Sequence, residues 1–226
     1  MTDDQRPAAG YVILVRSLEN KRRKFWPRGN RLYVGPLTEG TEDKFGNADL
    51  IFYNTMLVSG RALIVTNGQQ TDAMTYRDKH AKFNFEEDFP GTDPVMSAKI
   101  IMKAWGYEND TMKTPRVALV RYPHRSLFCI ATESNGQTQP GAIFCGPADS
   151  GIGLPTYTTV MGDTVSLHIT RSVDMRTHLV DIPVRGNSPE EIAEHLYAFM
   201  NPDLIIAAAG AVFSDNKWQI SFKNKF

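Results

Sequence analysis

Along most of the chain, apolar residues either alternate with polar ones or run in short β-rich blocks; helical spacing shows in few places. Tyr11 to Arg16 and Arg31 to Val34 read as strands, with a basic segment punctuated by Gly and Pro between them. Leu50 to Val58 and Arg61 to Thr66 are separated by Ser59 and Gly60, which is hairpin spacing, so they are expected to pair antiparallel. After a break at Asn67 and Gly68, Thr71 to Phe85 carries enough helix formers for a helix, and Asn84 to Thr92, with Glu86, Glu87, Asp88, Pro90 and Gly91, reads as an exposed loop. Asp93 is a suitable N-cap with Pro94 at the first helical position. Val95, Ala98, Ile101, Met102 and Trp105 then recur at helical spacing until Gly106 ends the run.

The second half is β-rich. Arg116 to Tyr122, Ser126 to Glu133 and Gly141 to Cys145 read as consecutive strands turning at Pro123 and at Asn135 and Gly136; Thr164 to Thr170 and His178 to Val184 continue the pattern. Ser188, Pro189, Glu190 and Glu191 form a capping-box signature for a helix reaching Met200. Leu204 to Phe213 fits a strand or a buried helix equally, and Trp218 to Phe222 is a last strand after a turn at Asp215 and Asn216. No repeat and no long linker divides the chain, so one α+β domain over residues 1–226 is expected.

Composition narrows the function classes. At 226 residues, 42% hydrophobic and 22% charged, the chain is an ordinary globular sequence that needs no metal or disulfide to hold a core. It has no apolar run long enough to cross a bilayer, and the polar first ten residues do not resemble a secretory leader, so export and membrane insertion are not expected. Lys plus Arg and Asp plus Glu are both 25, which removes the global bias that would recommend nucleic acid or a membrane surface. The basic run Lys21 to Lys24 reads first as a solvated loop, with a phosphate approach as the alternative. Cys129 and Cys145 lie in apolar runs and are expected to be buried, and the five histidines show no metal-ligand spacing.

Four segments stand out chemically. Val65 to Asp72 sets Thr66, Asn67, Gly68, Gln69, Gln70 and Thr71 directly after an apolar strand. That is either a ligand-facing strand end, where Gly68 allows close approach, or a strand-to-helix turn capped by Thr71 or Asp72. Tyr107 and Glu108 follow a helix end and precede Thr114, Pro115 and Arg116. The negative helix pole would raise the Glu108 pKa, and a nearby Arg would lower it. Arg28 and Arg31 flank Gly29 and Asn30, and Tyr53 with Asn54 interrupts an apolar strand. No Gly-x-Ser-x-Gly, P-loop or Gly-x-Gly-x-x-Gly is present.

Taken in order, Asn30 and Arg31, Tyr53, Val65 to Asp72, Tyr107 and Glu108, and Thr114 to Arg116 resemble the archaeal-type IMP cyclohydrolase family, over roughly residues 11–122. The resemblance implies a four-layer αββα sandwich like that of N-terminal-nucleophile hydrolases, with no sign here of processing to a terminal nucleophile. It also implies a cytoplasmic setting, no cofactor, and cyclisation of 5-formamidoimidazole-4-carboxamide ribotide to IMP and water. It makes Arg31, Tyr53 and Glu108 the catalytic group, with Arg28 replacing Arg31 under a shifted alignment. Arg28, Asn54, Asn67, Gly68, Thr71, Asp72, Thr114 and Arg116 would surround the ribotide, Arg116 as a phosphate contact. Arg31 would orient the carboxamide, while base and acid roles remain exchangeable between Glu108 and Tyr53. A non-catalytic ribotide binder and an amide hydrolase on the same fold are the alternatives; neither nucleic acid nor membrane is expected as a partner, and a homo-oligomer stays open.

Overall fold

The computed structural model describes residues 2–14, 21–46, 48–75, 93–108, 110, 113–146, 151–154, 157–159, 167–169, 179–182 and 185–226. The elements run β1 (Ala8–Leu14), β2 (Arg23–Arg28), β3 (Arg31–Pro36), α1 (Ala48–Ile51), β4 (Tyr53–Ser59), β5 (Ala62–Thr66), α2 (Gln70–Thr75) and α3 (Pro94–Trp105). They continue with β6 (Arg116–Arg121), β7 (Ser126–Ser134), β8 (Gln137–Cys145), β9 (Gly151–Gly153), β10 (Tyr157–Thr159), β11 (Leu167–Ile169), β12 (Val180–Ile182), α4 (Pro189–Phe199), β13 (Ile205–Ser214) and β14 (Lys217–Asn224). The class is α+β, and every strand pairing is antiparallel.

Strands β2 to β8 form a seven-stranded sheet in sequence order, and β1, β13 and β14 form a three-stranded sheet. Strand β5 sorts its side chains strictly: Leu63 and Val65 join a core shared with Ile206, Ala207 and Trp218 of the smaller sheet, whereas Ala62 and Ile64 pack with Met74 of α2 and Ile101 and Met102 of α3. The larger sheet therefore has an inner face against the other sheet and an outer face under two helices. Helix α4 covers the far side of the smaller sheet through Ile192 and Leu196. Gly10 and Gly210 lie opposite each other across β1 and β13, and a Cβ on Gly210 would fall 2.2 Å from the Pro189 carbonyl, so α4 sits closer than a side chain would allow.

Several expectations change in detail. The apolar run from Leu50 does not begin a strand: Ala48–Ile51 is a helical turn, Phe52 packs edge-on against Phe45 at 4.9 Å, and β4 starts at Tyr53. Short apolar runs cannot separate a buried turn from a strand by periodicity alone. The Lys21–Lys24 run is not simply a solvated loop, because β2 starts at Arg23 and buries it. Leu204 to Phe213 resolves as strand β13, paired on both sides. Helix α2 occupies Gln70–Thr75; the rest of the helix expected to Phe85, the acidic loop at 84–92, and much of the strands expected at 164–170 and 178–184 lie outside the described residues. Cys129 is buried, whereas Cys145 is only half-buried on the edge strand β8.

The caps form as read. Asp93 accepts from the amides of Val95 and Met96, Ser188 Oγ accepts from the Glu191 amide, and Glu191 reaches back to the Asn187 amide. Among the described residues, no helix is long and apolar enough to cross a membrane.

Candidate functional site

One end of the larger sheet collects the starts of β2, β4 and β6 and the ends of β3 and β5. Tyr53, the first residue of β4, points inward: Val34, its partner in register, belongs to the core between the sheets, as does Tyr53 itself. Its hydroxyl lies 2.9 Å from the hydroxyl of Tyr11, which comes from β1 of the opposite sheet. Arg23 opens β2 on the same face as Phe25, is 6% exposed, and donates to the Ile51 carbonyl at 3.3 Å.

Burial pushes the Tyr53 phenol above the ordinary tyrosine range. Arg23, the Tyr11 hydrogen bond and Arg116 oppose that rise, and the Glu108 carboxylate adds to it. Four residues from separate stretches, Tyr53, Arg23, Glu108 and Arg116, therefore share one electrostatic neighbourhood. Burial also drives Tyr11 well up, with Tyr53 adding to the effect, so both phenols stay protonated through the neutral range.

Glu108 is held by its backbone, whose amide donates to the Thr114 carbonyl at 2.8 Å after Gly106 ends α3 at a φ of 67°. Thr114 is fixed in turn by Asp110, donating its amide at 2.8 Å and its hydroxyl at 2.5 Å. Arg116 is 7% exposed; its Nη1 donates to Gln70 Oε1 at 3.1 Å, and its Nε has no hydrogen-bond partner among the described residues. A Cβ on Gly68 would lie 1.8 Å from that Nη1, so the close approach at Gly68 serves the Arg116 guanidinium.

The Val65 to Asp72 segment is a strand-to-helix turn whose polar groups are used internally. Asn67 donates to the Pro115 carbonyl at 2.9 Å and accepts from the Val117 amide at 2.8 Å, tying β5 to β6. Gln70 donates to Asn67 Oδ1 and the Val117 carbonyl. Thr71 bonds Thr66, the Asn54 carbonyl and the Gly68 carbonyl, locking α2 to β4.

The arginines singled out in the sequence sit elsewhere. Leu32 and Val34 face the inter-sheet core, so Arg31 and Tyr33 project from the outer face. There Arg31 Nη1 donates to Asp72 at 3.0 Å, and Asn54 donates to the same carboxylate at 2.9 Å. Arg28 stacks on the Tyr33 ring at 3.7 Å and meets Glu39 and Glu42 at 3.6 and 3.8 Å. On β4 a bulge sets the facing: Leu32 pairs with Met56 and Tyr33 with Asn54, leaving Thr55 as an extra residue. That residue shifts the alternation by one, so that Tyr53 rather than Asn54 points inward with Met56. Glu108 and Arg116 act electrostatically on Tyr53 at this sheet end, although Arg116 shares the outer face with Ala118 and Val120. Arg31, Asn54 and Asp72 form an outer group at α2; and Arg23, read in the sequence only as part of a basic run, and Tyr11, which the sequence reading passed over, stand beside Tyr53. Arg23 and Phe25 already show the alternation that buries both.

The arrangement offers a protonated hydroxyl beside a buried cation, Arg23, at the mouth of the inter-sheet core, with the Glu108 carboxylate and the second buried cation, Arg116, at the same sheet end and Arg116 on the face under α2, suited to moving a proton beside an oxygen that gains negative charge. The family model described as IMP cyclohydrolase-like protein matches residues 1–217. A protein of Methanocella arvoryzae named IMP cyclohydrolase is 27% identical over 176 residues, covering 77% of this chain and 71% of that protein. Another of the same name, from Methanothrix thermoacetophila, is 30% identical over 109 residues, 48% of this chain and 47% of its own length.

Proposed function

The chain belongs to the IMP cyclohydrolase-like protein family, and from that premise we propose that it cyclises 5-formamidoimidazole-4-carboxamide ribotide to IMP and water at the sheet end holding Tyr53. The observation that carries the siting is the shared neighbourhood of Tyr53, Glu108, Arg116 and Arg23. The fold belongs to the same proposal: a four-layer αββα sandwich like that of N-terminal-nucleophile hydrolases, supported by cores in which helices, two sheets and a helix follow one another. A cytoplasmic setting goes with it.

Nucleophile and electrophile sit on one imidazole, so the enzyme supplies conformation, charge and proton transfer rather than a covalent intermediate. The carboxamide nitrogen attacks the formyl carbon while Glu108 takes its proton. The formyl oxygen, now negative, receives a hydrogen bond from Tyr53 and the field of Arg116 and Arg23, and Glu108 returns the proton to give the carbinolamine. Glu108 then accepts the proton of the former formamide nitrogen, the C–O bond breaks, and the departing hydroxide leaves as water with that proton. The raised Tyr53 pKa supports a donor role for Tyr53 and leaves the base role to Glu108. Either hydroxyl can donate in the Tyr11–Tyr53 pair; in this reading Tyr11 is the donor, which leaves the Tyr53 hydrogen free for substrate. The unpartnered Nε of buried Arg116 supports a contact with substrate oxygen.

Arg31, Asn54 and Asp72 brace α2 in this reading, and Asn67, Gly68, Thr71 and Thr114 shape the rim. Incubating purified protein with the formylated ribotide and following IMP in the ultraviolet tests the proposal. Conversion above the spontaneous rate is expected, and binding without conversion would leave only a ribotide-binding protein.

A further inference from the structure

Beside this sheet end lies a cleft of about 320 Å³, within the usual range of small-molecule sites. Arg22 and Lys44 line it with the exposed Thr38, over an apolar wall of Pro36, Leu37 and Phe45. Among the described residues neither cation makes an ion pair. The nearby acids Glu39 and Glu42 are engaged by Arg28, and Asp43 is outside the lining. The segment therefore sorts its charges and leaves two cations facing one concavity. Two routes along the chain lead from the cleft to the catalytic group. Arg22 precedes Arg23, whose partner in register is the cleft residue Pro36, and Phe45 packs on Phe52, the neighbour of Tyr53.

We propose that this cleft is a phosphate-monoester subsite, with Arg22 and Lys44 holding the 5′-phosphate of the ribotide and Pro36, Leu37 and Phe45 covering its ribose. The proposal rests on the cyclohydrolase reading, and it moves the phosphate contact away from Arg116. Arg116, inside the catalytic group, is then left to the reacting oxygen. Thr38 supplies a hydroxyl donor, whereas the Thr41 hydroxyl is spent on the Thr38 carbonyl at 2.7 Å.

The test compares the formylated ribotide with its dephosphorylated riboside on the full chain carrying Arg22→Ala and Lys44→Ala together. Losing two charge-assisted contacts should raise KM for the ribotide about 10- to 100-fold, with kcat changed less than about threefold and the riboside KM unmoved. An unchanged ribotide KM, or equal rises for both substrates, overturns the subsite. Calorimetric titration with inorganic phosphate gives a readout that does not need turnover: weaker binding to the double variant is expected, and equal binding to both proteins overturns the proposal. Arg22→Lys with Lys44→Arg, which keeps the charges, should retain most of the affinity and guards against misfolding. Failure of the wild type to turn over would contradict the cyclohydrolase reading while the phosphate titration still decides the cleft.

Discussion

At the scale of residues, the account depends on a carboxylate and a phenol performing different tasks. Glu108→Gln should lower kcat by about 10²- to 10⁴-fold while ribotide binding persists, read by initial rates beside a binding titration. Unchanged turnover would remove Glu108 from the chemistry. Tyr53→Phe should cost about 10²- to 10³-fold in kcat as an oxyanion donor is lost, and Tyr11→Phe less, because Tyr11 acts through Tyr53. The phenol pair also has a consequence for stability. Both hydroxyls titrate higher in the fold than in the unfolded chain, so the unfolded state releases protons first as pH rises. Their contribution is full below the unfolded value near 10 and is lost as pH climbs through the folded values. Denaturant midpoints should fall above that pH, and the fall should be blunted in Tyr11→Phe/Tyr53→Phe. Tyr53 and Glu108 were readable as unusual polar residues in the sequence. Arg23 was not, because in a run of four basic residues only the register of β2 singles out the one that is buried.

At the scale of elements, the β4 bulge and the turn into α2 decide which groups meet. Thr55 donates to the Thr66 carbonyl at 2.8 Å, so the extra residue is anchored to β5 and the shifted alternation that sends Tyr53 inward and Asn54 outward is fixed. A one-residue irregularity leaves no trace in a hydrophobic pattern, so the sequence could not show that Tyr53 faces inward while Asn54 and Arg31 face outward. Gly68→Ala would drive a methyl into the Arg116 guanidinium, so the variant should lose ribotide turnover with little change in secondary structure by circular dichroism. Gly210→Ala meets backbone of α4 and should instead destabilise the protein by about 1–3 kcal/mol, measured by denaturant unfolding. The caps at Asp93 and Ser188 were legible because their signal is local; the strand choice for Ile205–Ser214 required the partners β1 and β14.

At the scale of the whole molecule, two sheets meet face to face, and the candidate site sits where β1 of one and β4 of the other expose their tyrosines to each other. That meeting joins residues 42 apart in sequence across two sheets, so no local pattern announces it. The α+β class was legible from alternation and caps, whereas the layering depends on which faces pair in space. A crystal structure of the protein with IMP bound tests the siting most directly. The account predicts the purine ring within hydrogen-bond reach of the Tyr53 hydroxyl and the Glu108 carboxylate, with Arg116 beside it. A ring seated instead on the outer face, among Arg31, Asn54 and Asp72, would contradict it.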